Sequence, residues 1–513
     1  LEFAEVVKKI AADYDKRKKE ANAMDFDDLL LNFLLLLNRP DIQTKLSNQF
    51  KYILVDEYQD TNKIQASIIR KLSLAHNNVL VVGDDAQSIY SFRAAEIKNI
   101  IDFEKKYPGA KIFKLETNYR SCQPVLDVAN SVISNNVKQY KKDLNAIHLE
   151  GVKPILNPQI DQQQEARYIV KTIKNHLEQG IKHNQVAVLF RAAYHSQMLE
   201  MELMKANIEY EYRGGLRFFE RAHVKDVLAY LRILNNLKDT PAWLRVLMHE
   251  EGIGPVAAQK IINQLRGVQD LKDVQNIGYD ILGQKAKQGW HNFVRIWERL
   301  LEIDKNDITA LIMSIKESVY SDYLEAEFTD AKDRLEDIEQ MAYFSESYES
   351  LDDFLAEASL QENFGRGKLK QEQQATEKTK KIILSTIHQA KGLEWDTVFV
   401  INLAGGAFPT DYAWKERDGI EEERRLFYVA VTRAKKFLYL TYPLESANWS
   451  VSGPSLFLEE IGADLLDDRS ILGNNSSIVL NDLGDDSADV EYVDEYVQPT
   501  IKPGSFLIDV DEL

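Results

Sequence analysis

Residues 51–55 form an apolar, β-branched run that ends in two adjacent carboxylates, Asp56 and Glu57. The run has the pattern of a buried strand. In open parallel sheets, ligands sit beyond the carboxyl ends of the strands. Carboxylates placed there can hold Mg²⁺ and polarise a water against a nucleotide phosphate. The plainer alternative has Asp56 capping the next helix and Glu57 in solvent. A second strand pattern, residues 79–82, leads into Gly83-Asp84-Asp85-Ala86-Gln87-Ser88-Ile89-Tyr90-Ser91-Phe92-Arg93. The Gln87 amide and the Arg93 guanidinium could both reach a phosphate there. Tyr90 and Phe92 alternate with polar residues, as a stacking platform for unpaired bases requires. The alternative is a turn whose aromatics fold back into the core.

Further candidates follow other strand patterns. Residues 111–115 read as a strand before Glu116-Thr117-Asn118-Tyr119-Arg120-Ser121. An arginine in that position neutralises charge that builds in phosphoryl transfer, unless Arg120 is a surface residue of a helix-initiating loop. Residues 381–384 read as a strand leading into Ser385-Thr386-Ile387-His388-Gln389-Ala390-Lys391-Gly392-Leu393-Glu394-Trp395. His388, taken singly, reads more readily as a structural histidine. The 421–436 segment is helical, with Leu426, Val429 and Ala430 as a buried stripe and Arg433 just beyond it. Gly252-Ile253-Gly254 opens another helix, whose amides can grip a phosphate. A plain tight turn between helices explains that string about as well.

The elements that must position these groups alternate between strand and helix. Helical patterns cover 3–23, a segment opened by Asp25 as N-cap, 65–75 and 165–177, and strand patterns recur at 186–190, 398–401 and 437–442. Residues 152–160 read as a connector. The Gly214-Gly215 pair marks a tight turn, 224–360 is almost wholly helical in pattern, and 362–380 reads as a polar linker.

A chain of 513 residues suggests roughly three domains. Its 44% hydrophobic and 28% charged content fits a globular protein with several cores. The net charge of −18 argues against nucleic acid when taken alone. Much of it lies after Gly462, in a tail whose only opposing cations are Arg469 and Lys502. That tail reads as a solvated or partner-binding extension. The single cysteine, Cys122, excludes an intramolecular disulfide and a cysteine-based zinc site, which fits a reducing cytoplasm. Neither a secretory signal nor a membrane span is legible, so no membrane partner is expected.

The string Ile53-Leu54-Val55-Asp56-Glu57-Tyr58-Gln59-Asp60 resembles the DExx box of UvrD/Rep/PcrA-type superfamily 1 DNA helicases. The strings at 83–93, 117–121, 385–395 and 429–434 resemble later blocks of that family, in the family's order. The resemblance spans about residues 25–456. It implies an α/β fold with RecA-like, doubly wound parallel-sheet motor domains and a helical accessory domain inserted in the second. It also implies ATP and Mg²⁺ as cofactors, and 3′ to 5′ translocation on single-stranded DNA in repair or replication. Single-strand/double-strand junctions are then further partners. By that resemblance Asp56 holds the metal and Glu57 positions the attacking water. Gln87, Arg120 and Arg433 meet the γ-phosphate, Tyr119 stacks on adenine and Glu394 meets the ribose. Tyr90, Phe92 and Arg93 contact single-stranded DNA, and the region of Thr386 and His388 faces DNA. Gly252 and Gly254 are the weakest nucleic-acid candidates. Phe92 stands where many members have tryptophan, and Ala94-Ala95 where many have Gly-Ala.

The implied domains are a helical remnant of an accessory insertion (1–24), the C-terminal part of a first motor domain (25–114), a second motor domain in two parts (115–222 and 366–460), a helical accessory domain (223–365) and a disordered acidic tail (461–513). The first motor domain is expected to be incomplete. No G-x-x-x-x-G-K-[ST] string, whose amides and lysine hold phosphates, occurs in the chain. The chain opens on Leu1 and is read as a piece of a longer protein that hydrolyses little ATP alone. Two alternatives are a motor-dead scaffold that binds nucleic acid or a partner, and the motor half of a helicase–nuclease.

Overall fold

The computed structural model describes residues 2–470 except 215, 269, 329, 347, 365–379 and 446–452. The expected linker at 362–380 therefore lies almost wholly outside the described residues, as does the tail beyond 470.

The first carboxylates are carried by a two-stranded parallel sheet, β1 (Ile53–Val55) beside β2 (Val79–Val81), with Leu54 opposite Leu80. Helices Phe26–Leu36, Pro40–Gln49 and Lys63–Ser73 pack around it. Two of them open on reciprocal caps. Asp25 exchanges side-chain and backbone hydrogen bonds with Asp28, and Asn62 does the same with Gln65. Helix Glu2–Glu20 precedes them.

The expected strand at 111–115 does not form. Ile112, Phe113 and Leu115 are exposed, and among the described residues no strand pairs with them. A short apolar run alone cannot hold a strand without a neighbour to take its amides and carbonyls. The pairing begins two residues later, where β3 (Thr117–Asn118) lies parallel to β4 (Asn145–Ala146).

The larger sheet has seven parallel strands. They are β5 (Ile155–Leu156), β6 (Val186–Phe190), β7 (Tyr210–Arg213), β8 (Ile382–Thr386), β9 (Trp395–Val400), β10 (Ala434–Leu440) and β11 (Asp467–Asp468), in the spatial order β11-β5-β10-β9-β6-β8-β7. Every residue of β6 is buried. Val186, Val188 and Phe190 enter one core, and Ala187 and Leu189 enter the other. Helices thus cover both faces, as a parallel sheet requires. Two expectations are corrected here. Residues 152–160 are more than a connector, because Ile155 and Leu156 pair with β10 and β11. The acidic segment is ordered at its start, where Asp467-Asp468 forms the sheet's edge strand.

Glu165 is wholly enclosed beneath this sheet, accepting hydrogen bonds from Thr441 Oγ1 at 2.6 Å and the Asn402 amide at 3.0 Å. Burial pushes its carboxyl up to about 7.

From Ala222 to Phe364 the regular structure is helical, as the sequence pattern requires. Its centre is aromatic: Trp243, Trp290, Phe293 and Trp297 are buried together, and each indole N–H donates to a backbone carbonyl. A buried polar knot ties these helices to the sheet. Asp337 of helix Ala331–Ser345 accepts from both Arg221 Nη1, at 2.7 Å, and His223 Nε2, at 2.5 Å. Glu200 accepts from Ser196, Tyr210 and the Phe218 amide. Fully partnered buried polar groups of this kind fix one relative placement of the elements that carry them.

Candidate active site and nucleic-acid interface

Asp56 and Glu57 stand exposed where β1 ends. Asp56 Oδ1 accepts the Glu57 amide at 2.9 Å. Glu57 adopts a left-handed conformation, φ 50°, that side chains other than glycine rarely take. This turn sends the Glu57 carboxylate toward Gln59 Nε2, 2.5 Å away. Gln59, wholly buried, also accepts the Asp84 amide at 3.0 Å and so bridges the ends of β1 and β2. Among the described residues there is no cluster of three or more His, Cys, Asp or Glu suited to a metal. Mg²⁺ needs no such cage, because it is held by one or two carboxylates together with water and phosphate oxygens. An exposed aspartate at a parallel strand end suits that donor set.

Past β2, Asp84 accepts the Ala86 amide at 3.0 Å and Gln87 Nε2 at 2.9 Å, and it pairs with Lys142. The Gln87 amide is therefore turned toward Asp84, beside the Glu57–Gln59 pair. Burial raises the carboxyl of Asp85.

The other side of the cleft comes from the seven-stranded sheet. Lys391, 7% exposed, donates to Asp60 Oδ2 at 2.6 Å and to the Gln87 carbonyl at 2.7 Å, and lies 3.8 Å from Glu57. Burial raises the Asp60 carboxyl, and Lys391 opposes that shift. Arg120 Nε donates to Glu394, which also pairs with Lys435 at 2.9 Å. The Arg120 hydrogen bond, then that of Lys435, holds the Glu394 carboxyl low. Tyr119 leaves its ring 75% exposed beside them.

Arg433 sits deeper than its place past a helical stripe indicates. Only 1% exposed, it donates to the carbonyls of Val429 and Leu393 and to the Thr432 hydroxyl. Burial, reinforced by Arg120 nearby, lowers its pKa to about 10.

Tyr90, Phe92 and Arg93 lie on a neighbouring face. Phe92 is 65% exposed and meets the His388 ring edge-on at 5.4 Å. Tyr90 is placed differently: its hydroxyl donates to the His388 carbonyl at 3.2 Å, and Arg93 and Lys391 approach its ring. Burial, then the cations Arg191 and Arg93, lower His388 to about 4, so its imidazole is neutral at pH 7. Thr386 closes β8 and faces Gly214, where an added Cβ would come within 2.6 Å of its hydroxyl.

Gly252 and Gly254 are far from this cleft in sequence and serve different ends. Gly252 has φ +76°, and a Cβ there would sit 2.8 Å from the Lys285 carbonyl. Gly254 caps helix Pro255–Leu265 with open space around it. Sequence reasoning quoted Gln59 and Lys391 only as letters within motifs and left Lys142 and Lys435 without roles. Lysines flanking motif acids were the available signal, but the partners of Lys391 lie about 300 positions away.

Residues 2–108 match the UvrD/REP helicase N-terminal domain, and residues 113–445 match the UvrD-like helicase C-terminal domain. The ATP-dependent DNA helicase PcrA of Staphylococcus epidermidis is 35% identical over 490 residues, covering 91% of this chain. The PcrA of Staphylococcus aureus is 34% identical over the same span. This chain covers 66% of the length of each. A solved structure, the C-terminal domain of a possible DNA helicase from a Lactobacillus, aligns with 68% of this chain and 98% of its own. Its 11% identity and TM-score of 0.27 are too low to add to the fold. The two domain matches together take in the carboxylates of the small sheet and the arginines of the large one, and this chain belongs to the UvrD/PcrA-type helicase family.

Proposed function

We propose that this chain is the translocating part of an ATP-driven DNA helicase that moves 3′ to 5′ along single-stranded DNA and opens duplexes at junctions. One observation supports this reading above the others. Groups suited to a triphosphate come from both sheets to one cleft, and Lys391 joins them there through Asp60 and Gln87. Asp56 would hold Mg²⁺, which neutralises phosphate charge when bound. Glu57 orients the attacking water. Gln87, Arg120 and Arg433 read the γ-phosphate, Tyr119 stacks on adenine and Glu394 takes the ribose. For Arg433 this requires exchanging its carbonyl acceptors for phosphate oxygens. Phe92, Arg93, Tyr90, Thr386 and His388 hold the strand, and the helical region from 223 acts as an accessory domain whose turn at Gly252 and Gly254 meets duplex phosphates.

The 513 residues contain no G-x-x-x-x-G-K-[ST] string. Hydrolysis in this reading needs a phosphate cradle from outside them, and the chain alone turns over little ATP. The test is a chimera with such a segment placed ahead of Leu1. DNA-stimulated ATP turnover is expected there, and Arg433→Ala should abolish it while leaving DNA binding in place. Turnover unchanged by that substitution removes Arg433 from the site. A chimera that binds DNA but never consumes ATP makes the chain a binding scaffold instead.

A further inference from the structure

Glu394 is held from both sides. Its Oε2 accepts from Arg120 Nε, and its Oε1 pairs with Lys435 Nζ at 2.9 Å. Strand register brings the three together. Ala434 of β10 lies opposite Trp395 of β9, so Lys435 and Glu394 meet at the start of those strands. Two bonds anchor the Arg120 turn to the same place. The Ser121 hydroxyl donates to the Ala434 carbonyl at 2.6 Å, and the Cys122 amide donates to the Lys435 carbonyl at 3.0 Å.

The charges here do not cancel. Arg120 with Glu394 alone would be a neutral pair, and Lys435 makes the trio net positive. Neighbouring acids are already matched, Asp396 by Lys436 at 2.9 Å and Asp84 by Lys142. Arg433 adds a further charge, but the carbonyls of Val429 and Leu393 and the Thr432 hydroxyl take its donors. Arg120 engages Glu394 through Nε only. Among the described residues its terminal nitrogens have no hydrogen-bond partner, and the guanidinium fork is built to meet phosphate oxygens with such nitrogens.

We infer, on the nucleotide reading above, that Lys435 is a positioning residue for triphosphate recognition. It offsets Glu394, so Arg120 stays anchored and still presents net charge to the γ-phosphate. Lys435 acts only through Glu394. The Glu394 carboxyl, held low by Arg120 and then by Lys435, remains ionised and keeps both cations. A carboxylate has about four lone-pair sites, which leaves room for a ribose hydroxyl as well. A nucleoside diphosphate lacks the group that Arg120 reads, so Lys435 matters for the triphosphate and little for the diphosphate.

The test measures binding of ADP and of a non-hydrolysable β,γ-imido analogue of ATP, by calorimetry, to the chimera described above, which keeps the full chain. Lys435→Met is expected to lower the ratio of triphosphate to diphosphate affinity about fivefold, the upper end for a partly exposed ion pair. Lys435→Arg should keep the ratio. Adding Glu394→Gln to Lys435→Met restores the net charge and should return the ratio, even as both affinities fall with the weakened ribose contact. Lys436→Met removes the same charge one residue away and should leave the ratio unchanged. Equal loss for both nucleotides in Lys435→Met marks a merely structural lysine and overturns the inference, as does an equal fall in the ratio for Lys436→Met. A chimera that binds neither nucleotide overturns the nucleotide reading itself, and the role of Lys435 with it.

Discussion

Lys391 Nζ lies 2.6 Å from Asp60 Oδ2, joining a loop of the large sheet to the turn that follows Asp56 and Glu57 at the end of the small one. With 7% exposure for the lysine and 22% for the aspartate, the pair is largely withdrawn from water. Removing one partner strands the other charge. Lys391→Met should lower stability by about 2 kcal/mol, less than for a fully enclosed pair because Asp60 keeps some solvent. Adding Asp60→Asn should recover part of that loss, since the stranded charge goes with it. Urea denaturation of both variants checks this, and a double variant no better than Lys391→Met would mean the pair is not coupled.

Phe92 offers the most open aromatic face of the Tyr90–Arg93 segment. Phe92→Ala should reduce affinity for single-stranded DNA roughly tenfold, within the range of one base–aromatic stack. Phe92→Trp should restore or exceed the original affinity. Because Phe92 is 65% exposed, neither change should shift the melting temperature appreciably. Titrations monitored by anisotropy, paired with melting curves, separate binding from folding.

The two glycines at 252 and 254 should respond in opposite ways. Gly252→Ala forces a side chain into a left-handed conformation against the Lys285 carbonyl, and should cost about 1–3 kcal/mol. Gly254→Ala meets nothing within 4 Å and should be nearly neutral for folding. If the turn grips duplex phosphates, Gly254→Ala can weaken duplex binding while the melting curve stays put. Equal destabilisation by both would remove the distinction drawn from their geometry.

Glu165 makes stability depend on pH. Its folded pKa, about 7, stands above the ordinary glutamate value of 4.5. A group shifted in this direction favours the folded state at low pH, and that contribution is lost as pH rises through 7. Glu165→Gln keeps acceptors for Thr441 and Asn402 but carries no charge. The variant should match the unaltered protein near pH 4.5 and exceed it at pH 8 by on the order of 3 kcal/mol. Chemical denaturation across that pH range reads the difference directly.

Much of the candidate site was legible because strand ends announce themselves. Residues 53–55, 79–81 and 382–386 are short β-branched runs, and the chemistry-bearing residues follow them at once. What stayed hidden depends on neighbours remote in sequence. Residues 111–115 are apolar enough for a strand yet form none, because composition records a propensity and not a partner. Ile155-Leu156 and Asp467-Asp468 are strands too short for periodicity to reveal, and the second pair was masked by its acidic composition. The burial of Arg433 was equally silent, since carbonyl acceptors at Val429 and Leu393 leave no mark in side-chain pattern.

The open face of the small sheet has a consequence for handling the protein. Leu54 and Leu80 lie side by side in β1 and β2 at 73% and 56% exposure. Among the described residues β1 and β2 pair only with each other, so their outer rows of amides and carbonyls are open to a third strand. A net charge of −18 keeps copies apart in dilute buffer. Salt shortens the reach of that repulsion to about 8 Å at physiological ionic strength and leaves apolar attraction intact. Solubility should therefore fall as salt is added, and light scattering should rise first in the most concentrated samples.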